Sequence, residues 1–191
     1  MKFNYLKHVE LPYIDENTIW SICPFTGSLL KEDASKYNRK IIVPNKVKRA
    51  LECCDSPYSC KPNISSKLHL SQSKIDKLQR LNNIVLQIGN NHFYLTRLYS
   101  CIKNKLFQNT FESIIYINHL PENYNLRHQR CLQRAFLASK VSVSFDEKGV
   151  IFIGAFLPTG DMHAWIIEDG SQVDIDDSGW INYRPLLAFY H

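Results

Sequence analysis

Short apolar runs, interrupted by prolines and glycines, characterise the chain up to about residue 70. Within this part, alternating and β-branched residues predict strands at Thr18–Ile22 and Lys40–Val43. Asn45 follows a proline, and the pattern behind it predicts a short helix reaching Cys53. We therefore expect a small β-plus-helix module at the N-terminus.

Helical periodicity begins where this module ends. Ser71 or Ser73 can cap a helix whose apolar positions recur at three-residue and four-residue spacing until Gly89. A second amphipathic run over residues 93–106 predicts another helix. The apolar segment Phe111–Leu120 fits a helix or a strand, and the pattern leaves that choice open.

A change from helical to strand periodicity marks the last third of the chain. Residues 126–140 have a half-buried helical pattern, and Val150–Phe156 is a continuous apolar run typical of a central strand. His163–Ile167 and Ser171–Ile175 flank Asp169-Gly170, a strong hairpin signal. Helices followed by an antiparallel sheet indicate an α+β fold, with a module at 1–70 and a domain at 71–191.

Composition narrows the class of protein. The chain is 45% apolar and 12% aromatic, which is enough to bury a core and excludes wholesale disorder. Its six cysteines include no CxxC pair, which disfavours a disulfide framework and a zinc ribbon. The first residues lack the apolar region of a secretory signal, and no stretch is long and apolar enough to span a membrane. We therefore expect a cytoplasmic protein with no membrane partner.

Charge is distributed unevenly. The net charge is +4 over residues 1–70, +7 over 71–140 and −6 over 141–191. A basic middle can attract nucleic acid or an acidic peptide, although solvated helix faces produce the same pattern. Because no helix-turn-helix, zinc-finger or RNA-binding motif accompanies these charges, we expect no nucleic-acid partner.

Three residues in the last third of the chain match the needs of nucleophilic catalysis. Cys131 lies early in a predicted helix, and a helix N-terminus with nearby cations lowers the pKa of a thiol from about 8.5. His163 opens a strand of the predicted hairpin and can exchange a proton with the thiol and the leaving amine. Asp176 follows the second strand and can fix the histidine tautomer.

Each of these residues also has a simpler interpretation. A single cysteine in a helix is usually a small buried apolar residue, and a histidine at a strand start is usually a satisfied polar one. Metal binding is disfavoured, because no second ligand pair has zinc spacing. The order Cys–His–Asp occurs in papain-like and in transglutaminase-like enzymes, so order does not select the chemistry.

The C-terminal part resembles the transglutaminase-like cysteine proteases that remove the leader from lasso-peptide precursors, the B proteins of lasso-peptide biosynthesis. The similarity lies in Cys131-Leu132-x-x-Ala135, in Ile151–Ala155, in His163–Gly170 and in the Gln172-Val173-x-x-Asp176 that follows. The separation of 32 residues between the cysteine and the histidine also fits that family. The resemblance covers roughly residues 70–191.

The resemblance implies a role for each residue of the triad. Cys131 matches the nucleophile, His163 the general base and acid, and Asp176 the residue that orients the histidine. The hairpin departs from the family pattern by one extra residue, so Asp174 and Asp177 compete with Asp176 for the third role. The backbone N–H of Cys131 is the expected first oxyanion donor, and a side chain in the loop 124–129 is the expected second.

The N-terminal part is similar to the fused leader-recognition module of microcin-type members of this family. The run Gly27–Glu32, following the strand-like Trp20–Ile22, carries that similarity. Such modules bind a leader peptide by β-augmentation, in which the peptide adds a strand to an exposed sheet edge. A plain structural extension is the alternative for residues 1–70.

Together the resemblances imply a bacterial, cytoplasmic cysteine protease that removes the leader from a lasso-peptide precursor before macrolactam closure. They imply two partners, the precursor peptide and a macrolactam synthetase. No metal or organic cofactor is expected in this chain, and ATP use is assigned to the synthetase because the sequence has no P-loop. A transglutaminase-like acyl transferase and a non-catalytic leader-binding protein remain as alternatives.

Overall fold

The computed structural model describes residues 6–54, 70–101, 105–120, 130–173 and 182–191. In these ranges four strands precede the helices and four further strands follow them. The strands are β1 (Lys7–Glu10), β2 (Tyr13–Asp15), β3 (Thr18–Ile22), β4 (Leu29–Asp33), β5 (Gly149–Phe156), β6 (Asp161–Glu168), β7 (Ser171–Gln172) and β8 (Arg184–Tyr190). The helices are α1 (Asn45–Cys54), α2 (Gln72–Ile88), α3 (His92–Cys101), α4 (Thr110–Asn118), α5 (Cys131–Val141) and α6 (Phe145–Lys148), with a 3-10 turn at Ala34–Lys36.

A five-stranded antiparallel sheet forms the centre of the molecule, with the strand order β1-β8-β5-β6-β7. The first strand of the chain therefore pairs with the last, in a register that sets Val9 opposite Ala188. Strands β5 and β6 form a hairpin in which Gly154 lies opposite His163. Residues distant in sequence are thus joined by one hydrogen-bonded sheet.

Both faces of this sheet are buried. Ile151, Ile153 and Ile166 belong to the larger apolar cluster, which includes side chains of α2 to α6. Val150 and Trp165 belong to a smaller cluster on the opposite face, together with the apolar side of α1. Successive residues of a strand point to opposite faces, so burial of both explains why β5 is apolar throughout.

Helix α5 is buried on every side. All ten residues from Leu132 to Val141 are buried, because α5 lies between the central sheet and the helices α2, α3 and α4. Its first residue, Cys131, is partly exposed. None of the helices in the described ranges has the length and apolarity required to cross a membrane.

A second, three-stranded antiparallel sheet has the order β2-β3-β4. Ile22 of β3 is fully buried in the larger apolar cluster, and Trp20 packs against that cluster. Arg184, the first residue of β8, places its guanidinium over the ring of Tyr13 in β2, 5.1 Å from the ring centroid. These contacts fasten the small sheet to the large one.

Several predictions made from the sequence are confirmed. The strand Thr18–Ile22 has the predicted bounds, and α2 runs between the predicted cap Ser71 and Gly89. Asp169 and Gly170 both have positive φ, as a two-residue hairpin turn requires. The general fold class is also confirmed, since the chain is a mixed α+β protein with antiparallel sheets.

Other predictions are wrong or incomplete. The run Lys40–Val43 is not a strand, because its residues pair with no neighbouring strand in the described chain, and Ile42 is 82% exposed. The ambiguous segment from Phe111 is helical, whereas Leu106 lies beyond the end of α3. Strands β1 and β8 are absent from the elements predicted from the sequence. The proposed boundary at residue 70 stays a prediction.

Replacing Ile166 with alanine tests the importance of the larger cluster. Ile166 is fully buried, so Ile166→Ala leaves a cavity, and we expect the free energy of unfolding to fall by about 2–5 kcal/mol. The exposed Ile42 provides a matched control, and Ile42→Ala should change stability by less than about 0.5 kcal/mol. Urea unfolding followed by tryptophan fluorescence measures both, and equal losses in the two variants would contradict this account of the core.

Candidate active site

Cys131 is the first residue of α5, and its side chain lies where this buried helix reaches the surface. The backbone N–H of Ala164 in β6 donates a hydrogen bond to the Cys131 Sγ over 3.4 Å. A backbone donor and the positive end of a helix dipole both favour negative charge on sulfur. The fold therefore places a cysteine in surroundings that suit a thiolate.

His163 is adjacent to that donor in sequence and is 6% exposed. Its ring stacks on Trp165, with centroids 6.2 Å apart, and is tilted against Tyr183 at 5.3 Å. Its partner across the hairpin is Gly154, where an added Cβ would collide with the carbonyl oxygen of Arg184. The glycine thus permits β5 and β8 to approach closely beside the histidine.

Cys131 and His163 line one cavity of about 530 Å³. Its walls come from five separate segments of the chain, and the described lining residues include no Lys, Arg, Asp or Glu. The lining consists of Thr26, Gly27, Ser28, Asn90, His92, Cys131, Leu132, Ile153, Met162, His163 and Ala164. Such a mixed but uncharged lining suits a neutral ligand with hydrogen-bonding groups.

An amide pair supports this cavity from the side of α5. Gln133, in the first turn of α5, donates from its side-chain nitrogen to the Asn90 Oδ1 over 2.9 Å. Gln133 is buried, whereas Asn90 is exposed and lines the cavity. The hydrogen bond orients the Asn90 amide so that its two N–H groups remain available to other acceptors.

A second histidine, His92, lines the cavity and was not identified in the sequence analysis. It is the first residue of α3 and is 2% exposed. Burial lowers its pKa from about 6.5 to about 4, so the ring is neutral near pH 7. Its position after the Gly89–Asn91 turn gives no spacing signal that connects it with Cys131, and only the tertiary structure brings the two residues together.

The structure leaves several predicted site residues untested. Asp176 and its competitors Asp174 and Asp177 lie outside the described residues, as does the loop 124–129 with its expected oxyanion donor. Arg134, three residues after Cys131, is buried and donates from Nη1 to the Asn118 Oδ1 over 2.9 Å. At least one of its N–H groups is therefore directed towards α4.

Two further observations concern metals and other thiols. Among the described residues, no group of three or more His, Cys, Asp or Glu side chains could hold a metal ion. Hydrogen bonding by Thr26 lowers the pKa of the Cys23 thiol, whereas burial raises the pKa of Cys53. Cys53 lies on α1 and is absent from the cavity lining, so it serves as a control for the reactivity of Cys131.

The burial of His92 predicts a pH dependence of stability. The unfolded chain protonates His92 near pH 6.5 and the folded chain near pH 4, so the unfolded state binds more protons in this interval. The free energy of unfolding should therefore decrease by about 2–3 kcal/mol through His92 as the pH falls from 7 to 4.5. In His92→Gln this contribution should be absent.

Urea titrations at pH 7 and pH 4.5 measure the difference. An exposed histidine provides the control, and His119→Gln should retain the wild-type decrease. Equal decreases in wild type and His92→Gln would contradict the account, because the buried ring would then titrate like the ring in the unfolded chain.

Comparisons with known proteins give no relative for this chain. No family model matches it, and neither a curated protein nor a solved structure is significantly similar to it.

Proposed function

We propose that this protein is a cysteine peptidase in which Cys131 is the nucleophile and His163 is the general base and acid. The observation that carries the proposal is the hydrogen bond from the Ala164 N–H to the Cys131 Sγ. It joins the start of α5 to the strand that bears His163, and both side chains line the same neutral cavity. A peptide bond bound in that cavity lies beside both groups.

The proposed reaction has two steps. The Cys131 thiol gives its proton to His163, and the sulfur attacks the carbonyl carbon of the scissile peptide bond. The carbon–nitrogen bond then breaks, and His163 returns the proton to the leaving amine. Water, deprotonated by His163, hydrolyses the thioester, which releases a carboxylic acid and restores the thiol. The Ala164 N–H stabilises the sulfur as an anion before attack and after hydrolysis.

Residues 70–191 resemble leader peptidases of lasso-peptide biosynthesis, and this resemblance suggests the substrate. It also suggests that these residues have a transglutaminase-like or papain-like arrangement. The substrate is then the bond between the leader and the core of a ribosomally made precursor. Asp176 would orient His163 in this reaction. The chemistry requires no cofactor in this chain, and an ATP-using macrolactam synthetase would close the freed amine onto a side-chain carboxylate.

Leader recognition is assigned to residues 1–70, and the edge strand β4 is the proposed docking site. β4 has five residues, compared with three in the other edge strand β2, so it offers a longer row of backbone groups to an added strand. β4 also begins directly after Ser28, which lines the cavity. A peptide paired with β4 would therefore extend towards Cys131.

Mass spectrometry of short peptides encoded beside the gene for this chain tests the activity. Wild type should cut one peptide at a single bond, and Cys131→Ala should be slower by at least about 10³-fold. Cys53→Ala is the matched control, because it removes a partly exposed thiol on α1, outside the cavity, and it should cut at the wild-type rate. His163→Ala should lose activity to a similar degree as Cys131→Ala.

The products distinguish the proposed peptidase from other functions. A free leader acid and a free core amine support hydrolysis, whereas an amine adduct or crosslink indicates an acyl transferase. A peptide that binds wild type and Cys131→Ala equally, and that stays uncut even with the synthetase and ATP present, indicates a leader-binding protein. Undiminished cleavage by Cys131→Ala would contradict the proposal.

Charge substitution at the two sheet edges tests leader docking. Leu30 of β4 is 39% exposed, and Leu30→Asp should weaken binding of a fluorescent leader peptide about tenfold by placing a charge among apolar contacts. Ile14 of β2 is 58% exposed, and Ile14→Asp provides the matched control with unchanged affinity. Fluorescence anisotropy measures both, and a larger effect at Ile14 would assign docking to β2.

A further inference from the structure

His92 is held in the cavity from two sides. Its ring forms an edge-to-face contact with Phe189 of β8, with centroids 5.9 Å apart. The next residue, Phe93, donates its backbone N–H to the carbonyl oxygen of Phe25 over 3.0 Å, which ties α3 to the turn before β4. The imidazole therefore has a fixed place beside Cys131 and His163 in the cavity wall.

Gly27 lies directly against the His92 ring. An added Cβ at Gly27 would lie 2.6 Å from Nε2 and 2.8 Å from Cδ2, closer than such atoms can approach. Gly27 also has φ of +77°, a conformation that other residues rarely adopt. Because Gly27 has no side chain, its backbone lies against the Nε2 edge of the ring without blocking it, and both residues line the cavity.

The surroundings of the other ring nitrogen indicate where the proton is. His92 Nδ1 is buried and has no hydrogen-bond partner among the described residues. A buried N–H without an acceptor is rarer in proteins than an unpaired acceptor, so Nδ1 is better left without the proton. The neutral ring then carries its proton on Nε2, at the edge of the ring that lies next to Gly27 in the cavity wall.

We propose that the His92 Nε2–H donates a hydrogen bond to a backbone carbonyl oxygen of the peptide bound in the cavity, and that Gly27 keeps the approach open. The inference rests on the proposed peptidase activity and identifies a substrate-binding residue for it. A neutral acceptor is favoured because the described cavity lining has no ionised Lys, Arg, Asp or Glu to balance a charged one. An uncharged peptide segment has such carbonyl oxygens on both sides of the scissile bond.

Two thiol reagents separate substrate binding from thiol reactivity. Acetyl-alanyl-alanyl chloromethyl ketone carries peptide carbonyls, whereas methyl methanethiosulfonate carries none. Rates of Cys131 modification are measured by peptide mass spectrometry, with Cys131→Ser as the blank. His92→Phe keeps a ring but removes the donor, so it should slow the ketone about tenfold, the loss expected for one hydrogen bond, and leave the thiosulfonate rate unchanged.

Two further variants test the same hydrogen bond, so that the conclusion does not depend on His92→Phe alone. His92→Gln restores a neutral N–H donor and should recover most of the ketone rate. Gly27→Ala blocks the Nε2 edge of the ring and should slow the ketone as His92→Phe does, again without effect on the thiosulfonate. Thermal unfolding of each variant verifies that the comparison is made on folded protein.

Each other outcome overturns a distinct claim. An unchanged ketone rate in His92→Phe would overturn the proposed hydrogen bond. A parallel fall with both reagents would show that His92 acts on the thiol or on the structure and does not bind the substrate carbonyl. A wild-type Cys131 that reacts with neither reagent would overturn the cysteine chemistry, and with it this inference.

Discussion

The burial of α5 on every side is the constraint on which the rest of the structure depends. A helix enclosed by a sheet and three other helices must satisfy its polar side chains internally. Ser139 donates to the carbonyl oxygen of Phe136, Arg134 pairs with Asn118, and the Lys140 ammonium lies 4.3 Å from the centroid of the Tyr99 ring. These contacts fix the rotation and register of the helix. Consequently, Cys131 at its first position is fixed relative to the backbone of β6.

The second histidine of the cavity, His92, is placed by contacts at both ends of α3. His191, the last residue, has its Nε2 3.0 Å from the Tyr99 hydroxyl and 3.3 Å from the Asp146 Oδ1, an oxygen that also accepts from Lys105. Tyr99 lies near the end of α3, and His92 lies at its start. The orientation of α3 is therefore set by the C-terminus at one end and by the turn at Phe25 at the other. Rigid placement of this kind is what a substrate-binding donor requires.

Local signals predicted some elements, such as β3 and α2, but not the partners that each element acquires. The cap residues of α2 and the Asp-Gly turn act within a few residues, so the sequence shows them directly. The pairing of β1 with β8 joins the two ends of the chain, and no local pattern encodes it. Local patterns also identify only part of the candidate site. Cys131 and His163 could be proposed from motif spacing, whereas His92 and Asn90 enter the cavity through tertiary packing and leave no periodic trace.

In the proposed function, the cavity wall connects catalysis with leader recognition. Thr26, Gly27 and Ser28 lie in the turn that leads into β4, and the same three residues line the cavity with Cys131. The backbone N–H of Cys23 donates to the carbonyl oxygen of Ser28, and that of Gly27 to the carbonyl oxygen of Cys23, so the turn is internally braced. A peptide that pairs with β4 would therefore lie beside a strand that directly follows part of the cavity wall. Binding at the sheet edge and positioning of the scissile carbonyl then act through one braced segment, and a change in the turn would affect both.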